Sequence, residues 1–233
     1  MKVRIKFSKH GPIKFIGHLD VMRYFQKAMR RSEIDIAYTT GFSPHQIMSF
    51  AAPLGVGLES NGEYMDVELN SMVSSQDVVE RLNMVGAEGI RVLSAKVLPE
   101  NAGNAMASVA AAAYTIRFRE GREPQFDYKS ALDAFYEKKQ ILVTKETKKN
   151  TLEVDLKPGI YKLEVRDDGI YMLVDASSSG NIKPSMVIEA FMSANNETLP
   201  ENAYTITRED TYLNAGTEEM PVFEPLDEIG SIL

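Results

Sequence analysis

The chain contains no cysteine, which excludes a disulfide, a thiolate zinc site, a cysteine nucleophile and a protein-ligated iron–sulfur cluster of the usual kind. Histidine is scarce: His10, His18 and His45 are the only three, and no HExxH spacing marks a zincin. No apolar run approaches the roughly 18 residues that a membrane-spanning helix needs. The N-terminus, basic and alternating from residue 2, lacks the continuous apolar core of a signal peptide. The expectation is a cytoplasmic protein with no membrane association and no cofactor of its own.

What is present suits a globular fold. The 233 residues, 44% hydrophobic and 25% charged, suffice for one large or two small domains. The net charge of -7 conceals a polarity: residues 1–50 hold nine Lys/Arg against three Asp/Glu, a balance of +6, so the remainder carries -13. Clustered cations create a field that steers a polyanion even when the whole molecule is acidic. A basic segment that merely neutralises acidic neighbours within the fold reads the same way in sequence.

MKVRIKF predicts a strand, with Val3, Ile5 and Phe7 on one face and Lys2, Arg4 and Lys6 on the other. After the turn-rich KHGPIKFIG, HLDVMRYFQKAMRR has helical period. Leu19, Met22, Phe25 and Met29 form an apolar stripe, and Arg23, Lys27, Arg30 and Arg31 recur on the far side. IDIAYTT is a short strand candidate, followed by a Gly/Pro-punctuated loop from Gly41 to Pro53. Asn61-Gly62 is a turn signal ahead of the alternating Met65, Val67 and Leu69. SSQDVVERLNMV predicts a helix capped by Ser74 or Ser75, with Val78, Val79, Leu82 and Val85 inward, and IRVLSAKVL a closing strand. The order strand, helix, strand, strand, helix, strand is the ferredoxin-like split βαβ plan, here over residues 1–98.

Residues 99–112 lose periodicity and read as an exposed linker. The same order recurs over 113–213. AYTIRFRE is a strand and DYKSALDAFYEKK a helix with Asp127 as its cap. ILVTKETKKNTLEVDL and YKLEVRDDGIYMLVDAS give several strands, the latter pair joined at Asp168-Gly169. KPSMVIEAFMSA, with Pro184 in its first turn, is a helix, and AYTITREDTYL a closing strand. The expected fold is α+β: two ferredoxin-like (βαββαβ) domains in tandem, the second with an added hairpin, followed by a solvated acidic tail over 214–233.

Three constellations carry candidate chemistry. His18, Asp20 and His45, with His10, offer imidazole and carboxylate groups for proton transfer or metal ligation; His18 and Asp20 equally suit a helix start, where the dipole favours a carboxylate. The helix cations Arg23, Lys27, Arg30 and Arg31, extended by Lys9 and Lys14, are placed to clamp phosphates, or form a solvated amphipathic face. Lys145, Lys148, Lys149 and Lys157 surround a strand turn, as a second phosphate surface or as an edge protected from aggregation. Base stacking on the sheet is not expected, because Arg4 and Lys6 face Asp66 and Glu68 across neighbouring strands and their charges cancel. RNA, if bound, is expected on the helix and loops.

RIKFSKHGPIKFIGHLDVMRYFQKAMRRSEIDIAYTTGFSPHQIMSFAAPLGVG resembles the N-terminal part of the radical-SAM-linked proteins, a bacterial family found fused or adjacent to radical S-adenosylmethionine enzymes. KETKKNTLEVDLKPGI resembles a later block of that family, and the likeness spans residues 1 to about 210. This chain departs at Gly17, where the family more often has Ser, and at Ser43-Pro44-His45-Gln46, where it has Asn-Pro-His-Pro. The resemblance implies an accessory part that acts in trans, since a chain without cysteine does not itself carry the radical enzyme's cluster. Members tend to lie near RNA-processing and ribosomal genes, which favours an RNA substrate. The expectation is a non-enzymatic, RNA-binding accessory module. A metal- or His-dependent hydrolase or nuclease using His18 and His45, and a protein–protein scaffold, are the alternatives.

Overall fold

The alternating KVRIKFSK run forms β1 (Lys2–Lys9), and its apolar face of Val3, Ile5 and Phe7 is buried. The computed structural model describes residues 1–146, 151–166 and 169–233. Within them the protein is mixed α+β, mostly antiparallel in its strand pairing, with five α-helices. The chain divides into two units, residues 1–110 with 208–233, and residues 111–207. No helix among the described residues is long and apolar enough to cross a membrane.

In the first unit β1 leads through a 3-10 helix (Gly11–Phe15) into α1 (His18–Arg31), then β2 (Met48–Phe50), β3 (Glu59–Glu68), α2 (Ser75–Met84), β4 (Ile90–Val97) and the single turn α3 (Ala105–Ser108). β1 pairs antiparallel with both β3 and β4, and β2 pairs with β3. Val21, Phe25, Ala28 and Met29 of α1, with Val78 and Leu82 of α2, share one core with the apolar residues of β1 and β3. Phe25 lies 4.6 Å from Phe7, ring centre to ring centre, and each side chain of this kind contributes about 1.5–3 kcal/mol on burial. The Ser74 hydroxyl accepts the Asp77 amide at 3.0 Å, which caps α2.

In the second unit β5 (Ala111–Phe118) is followed by α4 (Tyr128–Tyr136), β6 (Leu142–Glu146), β7 (Thr151–Asp155), β8 (Ile160–Arg166), β9 (Gly169–Asp175), α5 (Pro184–Ala194) and β10 (Tyr204–Asn214). β6 and β7 form a separate two-stranded ribbon, and the remaining strands follow the order β10-β5-β9-β8. Leu132 and Phe135 of α4 and Val187 and Phe191 of α5 are buried, and Asp127 caps α4 by accepting the Ser130 amide at 3.2 Å. At Arg208 β10 passes into the first unit, where β11 (Phe223–Pro225) pairs with it.

Several expectations are corrected. IDIAYTT is not a strand: Ile36 and Tyr38 make only isolated bridges, and the second strand is Met48–Phe50, inside the expected loop, because it pairs with Met65 to Val67. Asn61-Gly62 is not a turn but lies within β3. Glycine is required there by close approach, since a Cβ would stand 2.4 Å from the Asp210 carboxylate. Leu19 leaves the apolar stripe and is 60% exposed, while Val21 and Ala28 are buried instead. Residues 99–112 are not an open linker: they hold α3, and Ala105, Val109, Ala111 and Ala112 are buried. Residues 214–233 are a solvated tail only in part: 215–222 are exposed, whereas Phe223–Pro225 forms a strand and Leu226 and Asp227 are buried in the first unit. β8 and β9 pair antiparallel, with Arg166 opposite Gly169, and the turn expected at Asp168-Gly169 falls partly outside the described residues, at Asp168.

Candidate nucleic-acid interface

The solvent side of α1 carries Arg23, Lys27, Arg30 and Arg31, all exposed. The spacing of four, three and one residues, on a helix whose opposite side is fixed by Phe25 and Met29 in the core, keeps them on neighbouring rows of that side. Arg23 is tied to Asp20 at 3.1 Å, and Arg31 donates to the Val85 carbonyl at 3.0 Å. Lys27 and Arg30 make no ion pair among the described residues. Arg30 and Arg31 lie in the last turn, where the helix dipole favours positive charge.

The segment beside α1 is clamped at its base. Tyr38 and Gln46 form a bridge, the Thr39 amide donates to the His45 carbonyl at 2.9 Å, and the His45 amide donates to the Thr39 hydroxyl at 3.1 Å. The Gln46 side-chain amide donates to the Gln26 carbonyl at 3.3 Å, which joins this base to the middle of α1.

The other cations of residues 1–50 are engaged elsewhere. Lys9 is 2% exposed, its ammonium donating to the Ile16 carbonyl at 3.0 Å; burial pushes its pKa down, against the pull of Glu63. It does not extend an exposed patch. Lys14 pairs with Glu59 at 3.1 Å. Arg4, fully buried, holds both carboxylate oxygens of Asp66, at 2.7 and 2.9 Å, and the Leu226 carbonyl at 2.7 Å. Lys6 reaches Asp210 at 2.6 Å. Tyr64 donates to Asp210 at 2.6 Å; burial and the Asp210 and Asp227 carboxylates raise its pKa far up, so it stays a donor. This face of β1 and β3 is thus neutralised and covered, and Arg4 and Asp66 pair as the alternation implies. Arg208 of β10 holds Glu63 at 2.9 Å, while burial pushes the Glu63 carboxyl up.

The histidines have separate partners. His18 opens α1 and sets its ring edge-on to Phe50, with centres 5.2 Å apart. His45 is exposed, its Nδ1 3.0 Å from the Thr39 hydroxyl. His10 lies 3.5 Å from Glu59. Asp20 is taken by Arg23, and no group of three His, Cys, Asp or Glu among the described residues is arranged to hold a metal. In the second unit Lys157 donates to the Tyr136 carbonyl and stands 3.5 Å from the Tyr136 ring centre. Lys148, Lys149 and the side chain of Lys145 lie outside the described residues. Sequence reasoning passed over Tyr38 and Phe42, 48% and 112% exposed, although an aromatic between Gly41 and Ser43 with no apolar periodicity around it is a readable sign.

These features define an α+β protein with a cationic helix beside a clamped loop. The chain belongs to a family described as an uncharacterised protein conserved in bacteria (DUF2344), whose model matches residues 2–184. No curated protein matches it. The family description carries no activity, substrate or partner.

Proposed function

We propose that this protein is a non-enzymatic accessory module that binds a structured RNA on the solvent face of α1 and presents it to a radical S-adenosylmethionine enzyme acting in trans. The observation that carries the RNA reading is the pair of exposed cations Lys27 and Arg30, without an ion pair among the described residues and flanked by Arg23 and Arg31 on one helix face. Exposed cations side by side on one helix face are placed to contact neighbouring phosphates, and each contact made releases a counterion. The radical-enzyme partnership rests on the resemblance of the HLD, GFSPH and TKKNTLEVDLKP stretches. The ferredoxin-like reading is supported in the first unit by the order β4-β1-β3 with β2 paired beside β3, and in the second by the order β10-β5-β9-β8, β10 belonging to that unit as far as Thr207, with β6 and β7 as the added pair.

The test is RNA affinity as a function of salt for the Lys27→Gln/Arg30→Gln variant. Gln is a good helix former on an exposed face, so stability should hardly change. The slope of log affinity against log salt should shrink by roughly one unit per lost phosphate contact, about two in all. An unchanged slope would remove the cations from the interface.

A further inference from the structure

We infer that the clamped loop beside α1 is a base-stacking platform, in which the Phe42 ring, with Tyr38 at the loop's base, takes an unpaired base of an RNA strand whose phosphates lie along Lys27 and Arg30. This rests on the RNA reading above and adds which part of the RNA is recognised. An isolated exposed hydrophobic side chain is ordinary. Phe42 differs in its mounting. Its ring is fully exposed at the tip of a loop that Thr39 and His45 close with hydrogen bonds of 2.9 and 3.1 Å and that Gln46 ties to α1 at Gln26. The closed base fixes where the loop backbone carries the ring, so less backbone freedom is lost when a base stacks on it.

Charge selects the occupant. Residues 38–46 contain no Asp, Glu, Lys or Arg, so the loop itself neither repels nor attracts a strand. Gln26, its anchor on the helix, lies one turn before Arg30 and next to Lys27. A neutral aromatic tip joined to free cations is the combination by which single strands are held, with bases on π-faces and phosphates on ammonium and guanidinium groups. The face of β1 and β3 is not available for stacking, since Arg4 and Tyr64 are buried there, with Arg4 bound to Leu226 and Tyr64 to Asp227. Phe15, also exposed, sits beside Lys14, whose charge Glu59 already takes up.

The test measures binding of the full chain to a labelled oligouridylate and to a blunt RNA duplex, comparing wild type, Phe42→Ala, Phe42→Tyr and Lys27→Gln/Arg30→Gln. Phe42→Ala should weaken oligouridylate binding about 5- to 150-fold, as loss of one stacked base does. It should leave duplex affinity, salt slope and thermal midpoint unchanged, and Phe42→Tyr should restore binding. Equal oligouridylate affinity for Phe42→Ala and wild type overturns the platform. So does a loss that is the same for duplex and single strand, which would make Phe42 a shape contact. In both cases a reduced salt slope in the Lys27/Arg30 variant leaves the RNA reading standing. If wild type retains neither RNA at low salt, both readings fall together.

Discussion

Replacing Arg4 by Met tests what holds residues 223–231 in the first unit. The guanidinium donates to both Asp66 oxygens, to the Leu226 carbonyl, and at 3.3 Å to the Gly103 carbonyl. Methionine fills much of the volume and supplies none of these bonds. Among the described residues, Asp66 would keep the Ala105 amide, at 2.7 Å, as its one remaining donor to a carboxylate that is 10% exposed. Removing one partner of a buried pair costs about 3–5 kcal/mol. An orphaned carbonyl at Leu226 costs about 1–3 kcal/mol, and these terms overlap because the groups share one network. A loss of about 3–5 kcal/mol is therefore expected, a large part of the roughly 5–15 kcal/mol that stabilises a typical domain. Urea unfolding followed by circular dichroism reads the total, and amide hydrogen exchange locates it, with protection lost first at Ala105, which Asp66 anchors, and at Leu226. Arg4→Met/Asp66→Leu, which removes both charges, should be less destabilised than the two single losses added. An Arg4→Met midpoint equal to wild type, or a loss with unchanged exchange at Ala105 and Leu226, would refute the fastening.

Gly62→Ala places a Cβ 2.4 Å from an Asp210 carboxylate oxygen and 2.8 Å from the Asp210 Cα, so it should cost about 1–3 kcal/mol; a urea midpoint at the wild-type value would contradict that close approach. Burial alone would raise the Glu59 carboxyl, but hydrogen bonds from Lys14 and His10 outweigh it and hold the pKa below its ordinary 4.5. A depressed carboxylate stabilises the fold above the unfolded pKa and loses that contribution as pH falls through the folded value. The difference in melting temperature between wild type and Glu59→Gln should be largest near neutral pH and shrink below pH 4.5. A pH-independent difference would show that the Lys14 and His10 contacts do not depend on the Glu59 charge.

Local chemistry made the helices legible. Ser74 before a helical period, Asp127 before another and Pro184 at a third each satisfy or remove an orphan amide within the first turn, and all three elements stand where those residues predict. What depends on distant partners was not legible. Asn61-Gly62 has turn chemistry by itself, yet it pairs into β3 because β10, well over a hundred residues later, needs a side-chain-free surface at Gly62. Residues 214–233 look solvated because they are acidic, with two prolines, whereas Asp227 accepts from Ser94 at 2.8 Å and from Tyr64 at 3.3 Å and Leu226 binds Arg4. Composition places the exposed stretch 215–222 correctly and misplaces Leu226 and Asp227, because an acidic side chain suits a buried position once its partners are hydroxyl groups already on the strand face.

The same distinction decides how far the charge polarity of residues 1–50 reaches. Nine cations stand in the sequence, but Arg4, Lys6, Lys14 and Arg23 have carboxylate partners and Lys9 is buried on backbone carbonyls. Alternation along β1 shows that Arg4 and Lys6 share a face and cannot show that Asp66 and Asp210 meet them there. Helical period shows that Lys27 and Arg30 share a face with Arg23, and there the core on the opposite side, with Phe25 and Met29 at 1% and 0% exposure, keeps that face in water. A cation remains available to a polyanion only where the fold brings it no acid. Among the described residues that condition leaves, in the first fifty, Lys2 and the α1 trio of Lys27, Arg30 and Arg31, so any field that steers RNA is carried by the helix rather than by the whole basic segment.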